Sequence, residues 1–289
     1  MPDVIAEAFH AFAEHVRPTA GDVERAQQLR DRVANELMED AAVLRVVDTG
    51  SFAHGTAVRE SSHFDVFVVL RGAKPKSVAR SIDVLRAAAA GAPAALVSAS
   101  AESVLVEQLG APGIRLIPAY EAAAEAGSSL GGSDLLWVPD VARRWVRHRA
   151  GARTVLLSRI DDDGSVRALI RLMLVWKHRQ DVGISSYYLE TAAIRQALQQ
   201  SSFSLLWDQC WLWERLADDA LSPLPDLTSP SQTQSVRAAA SLARAIEAQF
   251  PLERAASSGR GAVSAYMDGD LDAATAYLRA LYGSDFPEL

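Results

Sequence analysis

Gly50-Ser51-Phe52-Ala53-His54-Gly55-Thr56, followed by Ser61-Ser62-His63-Phe64-Asp65-Val66-Phe67-Val68-Val69-Leu70, is the stretch that decides how this chain is organised. A glycine-serine turn leads through a short polar segment into a strand over Phe64–Leu70. On a strand, alternate side chains share a face, so His63 and Asp65 lie together while Phe64 and Val66 point to the opposite side. An imidazole and a carboxylate side by side at the mouth of an apolar strand mark a candidate site.

Working outward, Val43–Val47 is a short strand that delivers the chain to Gly50. Residues 3–16 and 21–39 carry apolar side chains at helical spacing. Pro75–Ala90 predicts a helix with proline near its first turn, and Ala94–Ser98, Ser103–Glu107 and Gly113–Ile117 predict three strands. From Val138 onward the spacing is helical: Asp140–Arg149, Gly164–Gln180, Ser185–Leu198, Phe203–Asp218, Gln232–Phe250 and Leu271–Tyr282. The cluster Arg143-Arg144-Trp145-Val146-Arg147-His148-Arg149 falls in the first of these, as a solvated helix face. The expected class is α+β: a mixed sheet with helices on one side over residues 1–137, then a helical domain over 138–289, with a cleft between them.

The chain has 289 residues and a net charge of -7, with a pI near 5.4. That balance argues against general nucleic-acid binding, which needs a basic face to neutralise phosphates. No apolar run approaches the roughly 20 residues of a membrane span, and the first residues lack the basic start and apolar core of a signal peptide. A cytoplasmic protein is expected. Abundant alanine and arginine with scarce lysine suit a GC-rich bacterial genome. The single cysteine, Cys210, excludes an internal disulfide and is expected as a buried thiol. Trp207, Trp211 and Trp213, with Phe203, are expected as inter-helical core. Glu102 and Glu107 are expected on the solvent side of their strand, and Asp161-Asp162-Asp163-Gly164 as a loop that caps the next helix.

The opening stretch resembles the signature of the nucleotidyltransferase superfamily built on the DNA polymerase β fold, nearest its bacterial oligonucleotide-synthase and oligoadenylate-synthase-like branch. That signature has Gly-Ser, Gly-Thr, then Ser-Asp-hydrophobic-Asp, and a third Asp on a later strand before Pro-Ala. Gly50-Ser51, Gly55-Thr56 and Asp65 match it. His63 stands at the first acid, and Arg115, in Gly113-Ile114-Arg115-Leu116-Ile117-Pro118-Ala119, stands at the third. The resemblance continues in Arg171–Lys177, in Ile184–Glu190 with Ser186-Tyr187, and in the ending Leu281–Pro287. It implies that a Lys two residues before the Trp, together with the serine region, contacts the nucleotide triphosphate. Here Leu174 holds that Lys position.

Phosphoryl transfer in this fold uses two divalent ions, and Mg²⁺ wants hard oxygen ligands. A His and an Arg at two of three carboxylate positions leave Asp65 unable to hold two ions beside a guanidinium. The residues instead suit metal-free chemistry without a cofactor. His63 is then a general acid or base, Asp65 sets its environment, and Arg115 holds a negative or developing-negative oxygen. Gly50, Ser51, His54, Ser186 and Tyr187 are the expected substrate contacts. The expected function is an enzyme acting on a small organic substrate by acyl or ester transfer, hydrolysis or isomerisation, in bacterial secondary metabolism, with weak affinity for ATP and GTP. The alternatives are a non-catalytic binder of a nucleotide or phosphorylated ligand and a nucleotidyltransferase with atypical metal ligation. Ser51 can also be read as a nucleophile activated by His54 or His63, and Asp65–Arg115 as a purely structural ion pair.

Overall fold

The apolar run from Phe64 forms a strand whose seven residues are all buried, and a sheet is assembled on both sides of it. The computed structural model describes residues 4–92, 96–123, 134–199, 203–230 and 233–289. In chain order the elements are α1 (Val4–His15), α2 (Ala20–Glu39), β1 (Val43–Thr49), α3 (Gly50–His54), β2 (Phe64–Leu70), α4 (Val78–Ala88), β3 (Leu96–Ala99), β4 (Val104–Glu107) and β5 (Ile114–Glu121). They continue with β6 (Leu135–Pro139), β7 (Trp145–Arg149), α5 (Ala152–Ile160), α6 (Ser165–Arg179), α7 (Ser186–Gln199), α8 (Leu205–Asp218), α9 (Leu242–Met267) and α10 (Leu271–Tyr282). They form two compact units: a sheet unit of Pro18–Leu156 with Pro225–Gln234, and a helical unit of Met1–Arg17, Leu157–Leu224 and Ser235–Leu289. The division expected at residue 137 is thereby redrawn. Helix α1 belongs to the helical unit, and residues 138–156 to the sheet unit.

In the sheet unit the strand order is β1-β2-β5-β4-β3, with β6 joining β5 and β7 joining β6. β2 runs antiparallel to β1 and parallel to β5, so the sheet is mixed. Phe64, Val66, Val68 and Leu70 face one side, where they meet Ile114 and Leu116 of β5 and the apolar faces of α2 and α4. Phe67 and Val69 face the other side, with Ala119, Leu136 and Val138. Asp65 is two residues before Phe67 and shares that second face.

Three local expectations are corrected here. Residues Trp145–Arg149 form a strand, not a helix, paired to β6 with Leu136 opposite His148 and Val138 opposite Val146. The connection is set by Asp140, whose carboxylate accepts from the Ala142 and Arg144 amides and from the Arg144 guanidinium. An aspartate that bonds the backbone two residues on makes a turn without needing glycine or proline. The Gly50-Ser51 segment is the first part of the short helix α3 rather than a bare turn. Helix α9 begins at Leu242, later than expected, and runs past Pro251 to Met267. An internal proline removes one helical hydrogen bond, yet Leu252, Ala255, Ala256, Ala262 and Val263 continue a buried face beyond it. The strand expected from Ala94 begins at Leu96; Ala94 and Ala95, and Gln232 of the expected last long helix, lie outside the described residues.

In the helical unit the closing residues act as an apolar clasp. Phe286 is fully buried and packs on Phe9, Phe12 and Tyr282 at centroid distances of 5.2, 5.1 and 5.6 Å. Trp213 is core, edge-on to Trp176 at 6.0 Å, whereas Trp211 is 43% exposed beside Trp207. Cys210 is buried, and burial pushes its thiol up to about 11. Asp161 caps α6: its carboxylate accepts from Val166 and Arg167 amides at 2.8 and 3.2 Å and from the Arg167 guanidinium at 2.7 Å. Because helix-terminal amides have no intrahelical partner, Asp161→Ala is expected to cost about 2 kcal/mol in urea unfolding. A loss under about 0.5 kcal/mol, the scale of an ordinary surface change, would show this cap to be redundant.

Candidate functional site

The site is built by the parallel pairing of β2 and β5, whose register sets Asp65 directly opposite Arg115. Arg115 Nε donates to Asp65 Oδ1 at 2.8 Å and Nη2 to Oδ2 at 2.7 Å. This two-pronged geometry is the strongest form of an arginine–carboxylate contact. The pair is asymmetric: the Asp65 side chain is 7% exposed and that of Arg115 44%. Asp65 raises the Arg115 pKa further, so the guanidinium is permanently charged. Its fork holds Asp65 with two of five N–H groups, and its exposure leaves the others within reach of a ligand.

The neighbouring turn is fitted to this pair. Gly50 has φ +70°, and Thr49, just before it, pairs with Asp65 across β1 and β2. A Cβ on Gly50 would collide with Asp65 Oδ2 and come within 2.7 Å of Asp65 Cβ and Cγ. Only glycine lets the chain turn this close to the carboxylate. His63 precedes β2 and lies against Gly113, where an added Cβ would be 3.1 Å from its ring. Burial lowers the His63 pKa, Arg115 adds to that, and Asp65 and Glu107 oppose it. Glu102 is half-buried, and its pKa is raised by burial against the pull of Arg115 and Arg143. Glu102 and Glu107 therefore belong to the electrostatic surroundings of this pair rather than to open solvent.

Other expected site residues fall elsewhere. His54 is 6% exposed, inside α3, and not open at the mouth. Ser51 is half-buried and its carbonyl accepts from the Thr56 amide. Among the described residues no hydrogen bond joins its hydroxyl to His54 or His63, so the arrangement lacks the pairing a nucleophilic serine needs. Ser186 and Tyr187 open α7 in the helical unit, and Ser186 Oγ accepts from Lys177 Nζ at 2.8 Å. Lys177 closes the Arg171–Lys177 motif but was expected to have no role of its own. It sits one helical turn beyond the buried Leu174, and the i, i+3 spacing could have suggested it.

His148 of β7 was also missed as an individual residue. Its ring meets Phe67 at 5.1 Å, and burial followed by Arg153 pushes its pKa down to about 4. A histidine lowered in the folded state adds stability above its unfolded pKa of about 6.5 and withdraws it as pH falls towards 4. Melting temperature is expected to drop across that interval, by the equivalent of at most about 3 kcal/mol. His148→Phe should flatten the drop. An unchanged profile in that variant would assign the drop to other groups.

The residues do not fit the two-ion site that the resemblance implies. Both Asp65 oxygens are held by Arg115, and the positions of the other two acids carry an imidazole and that same guanidinium. Among the described residues no three His, Cys, Asp or Glu side chains converge as a metal-binding group. None of their helices is long and apolar enough to cross a membrane.

No family model matches the chain, and no curated protein matches it in sequence. Solved structures do. The structure of CdnC from E. coli MS115-1 with ATP is 15% identical, covers 97% of this chain and 98% of its own, and has a TM-score of 0.74. The same protein in complex with HORMA-deltaN gives 0.73. The CD-NTase CdnG from Bradyrhizobium diazoefficiens with GTP is 13% identical, with coverages of 96% and 94% and a TM-score of 0.70. These comparisons overturn two expectations. Acyl or ester transfer, hydrolysis or isomerisation of a small organic substrate was expected from the His63, Asp65 and Arg115 group, yet 97% and 96% of the chain follow proteins solved with ATP and GTP. A small organic molecule as the sole partner class falls as well, since CdnC is also solved with a protein partner. The fold, a mixed sheet followed by helices, is the one that the CdnC and CdnG structures share.

Proposed function

We propose that this protein is a nucleotide-binding member of the nucleotidyltransferase fold that holds its ligand without divalent ions. The observation that carries this reading is the two-pronged Asp65–Arg115 contact at the fold's metal position. A guanidinium supplies a fixed positive charge and N–H donors where an ion would otherwise meet phosphate oxygens. In this reading Arg115 binds a phosphate oxygen, Asp65 holds Arg115 in its orientation, and His63 and Ser51 are hydrogen-bonding neighbours. Gly50 keeps the turn open beside the carboxylate. Lys177 and Ser186 are a separate phosphate-binding candidate within the helical unit. The comparison structures with ATP and GTP supply the ligand class.

Calorimetry with ATP and GTP, in chelator and then in Mg²⁺, tests the proposal. Binding is expected in both, with affinities within a factor of about three, less than 1 kcal/mol, and without release of pyrophosphate. Mg²⁺-dependent pyrophosphate release that disappears in Asp65→Asn would overturn it.

A further inference from the structure

Helix α9 leaves its first two turns uncovered on one side. Its buried face starts only at Ala248 and continues through Leu252, Ala255 and Ala256. Leu242, Ile246 and Phe250 are instead 77%, 65% and 67% exposed. Residues four apart lie above one another on a helix, so the three form one apolar row about 12 Å long. Exposed apolar residues scattered singly are ordinary, whereas a contiguous patch marks a contact surface. Gln249 anchors the back of the helix to α8, donating to the Ala217 carbonyl at 2.8 Å, and Arg254 lies beside the Phe250 ring at 6.0 Å. Neither covers Leu242 or Ile246. The charges along this stretch cancel: residues 242–254 hold Arg244 and Arg254 against Glu247 and Glu253, and Arg244 donates to Glu247 at 2.7 Å. A neutral row does not suit an anionic membrane or a nucleic acid, both of which select a basic face. It suits a copy of itself, because a twofold contact sets the same patch against itself and any net charge there would repel.

We infer that Leu242, Ile246 and Phe250 of α9 form a twofold docking surface for a second copy of this chain. A row at i, i+4 and i+8 packs ridge into groove with a crossing of about −50°, so two such helices touch most closely at the middle residue. Ile246 then meets the partner's Ile246. With the helices running in opposite senses, Leu242 and Phe250 meet the partner's Phe250 and the partner's Leu242. The contact is small. Three apolar side chains from each copy bury less than the roughly 1,200 Å² at which stable interfaces begin, so the dimer forms reversibly, with a dissociation constant in the micromolar range or weaker.

Sedimentation velocity of the full chain, over a series from roughly 1 μM to 1 mM, tests this. The sedimentation coefficient is expected to rise with concentration as a monomer–dimer equilibrium. Ile246→Glu, at an exposed position, is expected to weaken the dimer at least about tenfold while leaving the melting temperature of dilute protein unchanged. Ile246→Cys reads the geometry. Mild oxidation is expected to link two copies through this residue, whereas Arg244→Cys, about 200° around the helix, stays unlinked. The native Cys210 is buried and does not compete. A monomer at every concentration overturns the inference, as does a dimer that Ile246→Glu leaves intact or equal crosslinking of the two cysteine variants. Vesicles of phosphatidylglycerol and phosphatidylcholine that bind the wild type but not Ile246→Glu would also overturn it, by assigning the row to a membrane surface.

Discussion

Gly50→Ala will destabilise the protein by about 3 kcal/mol in chemical unfolding, the sum of a backbone and a packing penalty. With φ at +70°, an alanine here pays roughly 1–2 kcal/mol for the left-handed conformation. The added methyl group also meets the Asp65 side chain, with Cβ and Cγ at 2.7 Å. Asp65 cannot retreat without disturbing its two bonds to Arg115, and loosening them costs about 1–3 kcal/mol. Gly72 provides the control: its φ is +87°, and a Cβ there would meet nothing within 4 Å. Gly72→Ala should therefore show the backbone penalty alone. Equal losses in the two variants would mean that the Gly50–Asp65 contact does not constrain the site.

Arg115→Ala is expected to cost about 2–4 kcal/mol, because it strands a carboxylate that is 7% exposed without its two donors. Removing the other partner should cost less. In Asp65→Asn the guanidinium remains, and at 44% exposure it can recover hydrogen bonds from water. Thermal or urea unfolding of the two variants reads this asymmetry directly. A larger loss from Asp65→Asn than from Arg115→Ala would show that the pair's energetics are set by Arg115 instead. In either variant nucleotide binding should weaken, which a purely structural ion pair would not produce in protein that remains folded.

Much of this was legible because it is local. The run Val66–Leu70 is apolar on both faces, and a strand of that kind belongs in the middle of a sheet. The spacing of Ala26, Leu29, Val33 and Leu37 gave α2 its buried side. Gly50 and Asp65 were recognisable by their pattern, and Arg115 by its place before Pro118-Ala119. The functional expectation failed for the opposite reason. His63, Asp65 and Arg115 were read as one metal-free catalytic group, and a group's role depends on the whole fold that carries it. Burial removes His54 from the mouth, and among the described residues no hydrogen bond from the Ser51 hydroxyl to His54 or His63 supports nucleophilic attack.

By itself, then, the sequence determined the mixed sheet around β2, the helical periodicity of the second half, and the presence of His63 and Arg115 where the resemblance expects acids. These follow from patterns that repeat within a few residues or from the identity of single positions. Only the tertiary structure decided that Arg143–Arg149 enters a hairpin, that α9 continues through Pro251, that Lys177 meets Ser186, and that Asp65 and Arg115 bond with both prongs. Each depends on a partner distant in the chain or on a buried surface that outweighs a local preference. Parallel pairing of β2 with β5 joins residues 65 and 115 across fifty positions of chain, and no local periodicity encodes that register.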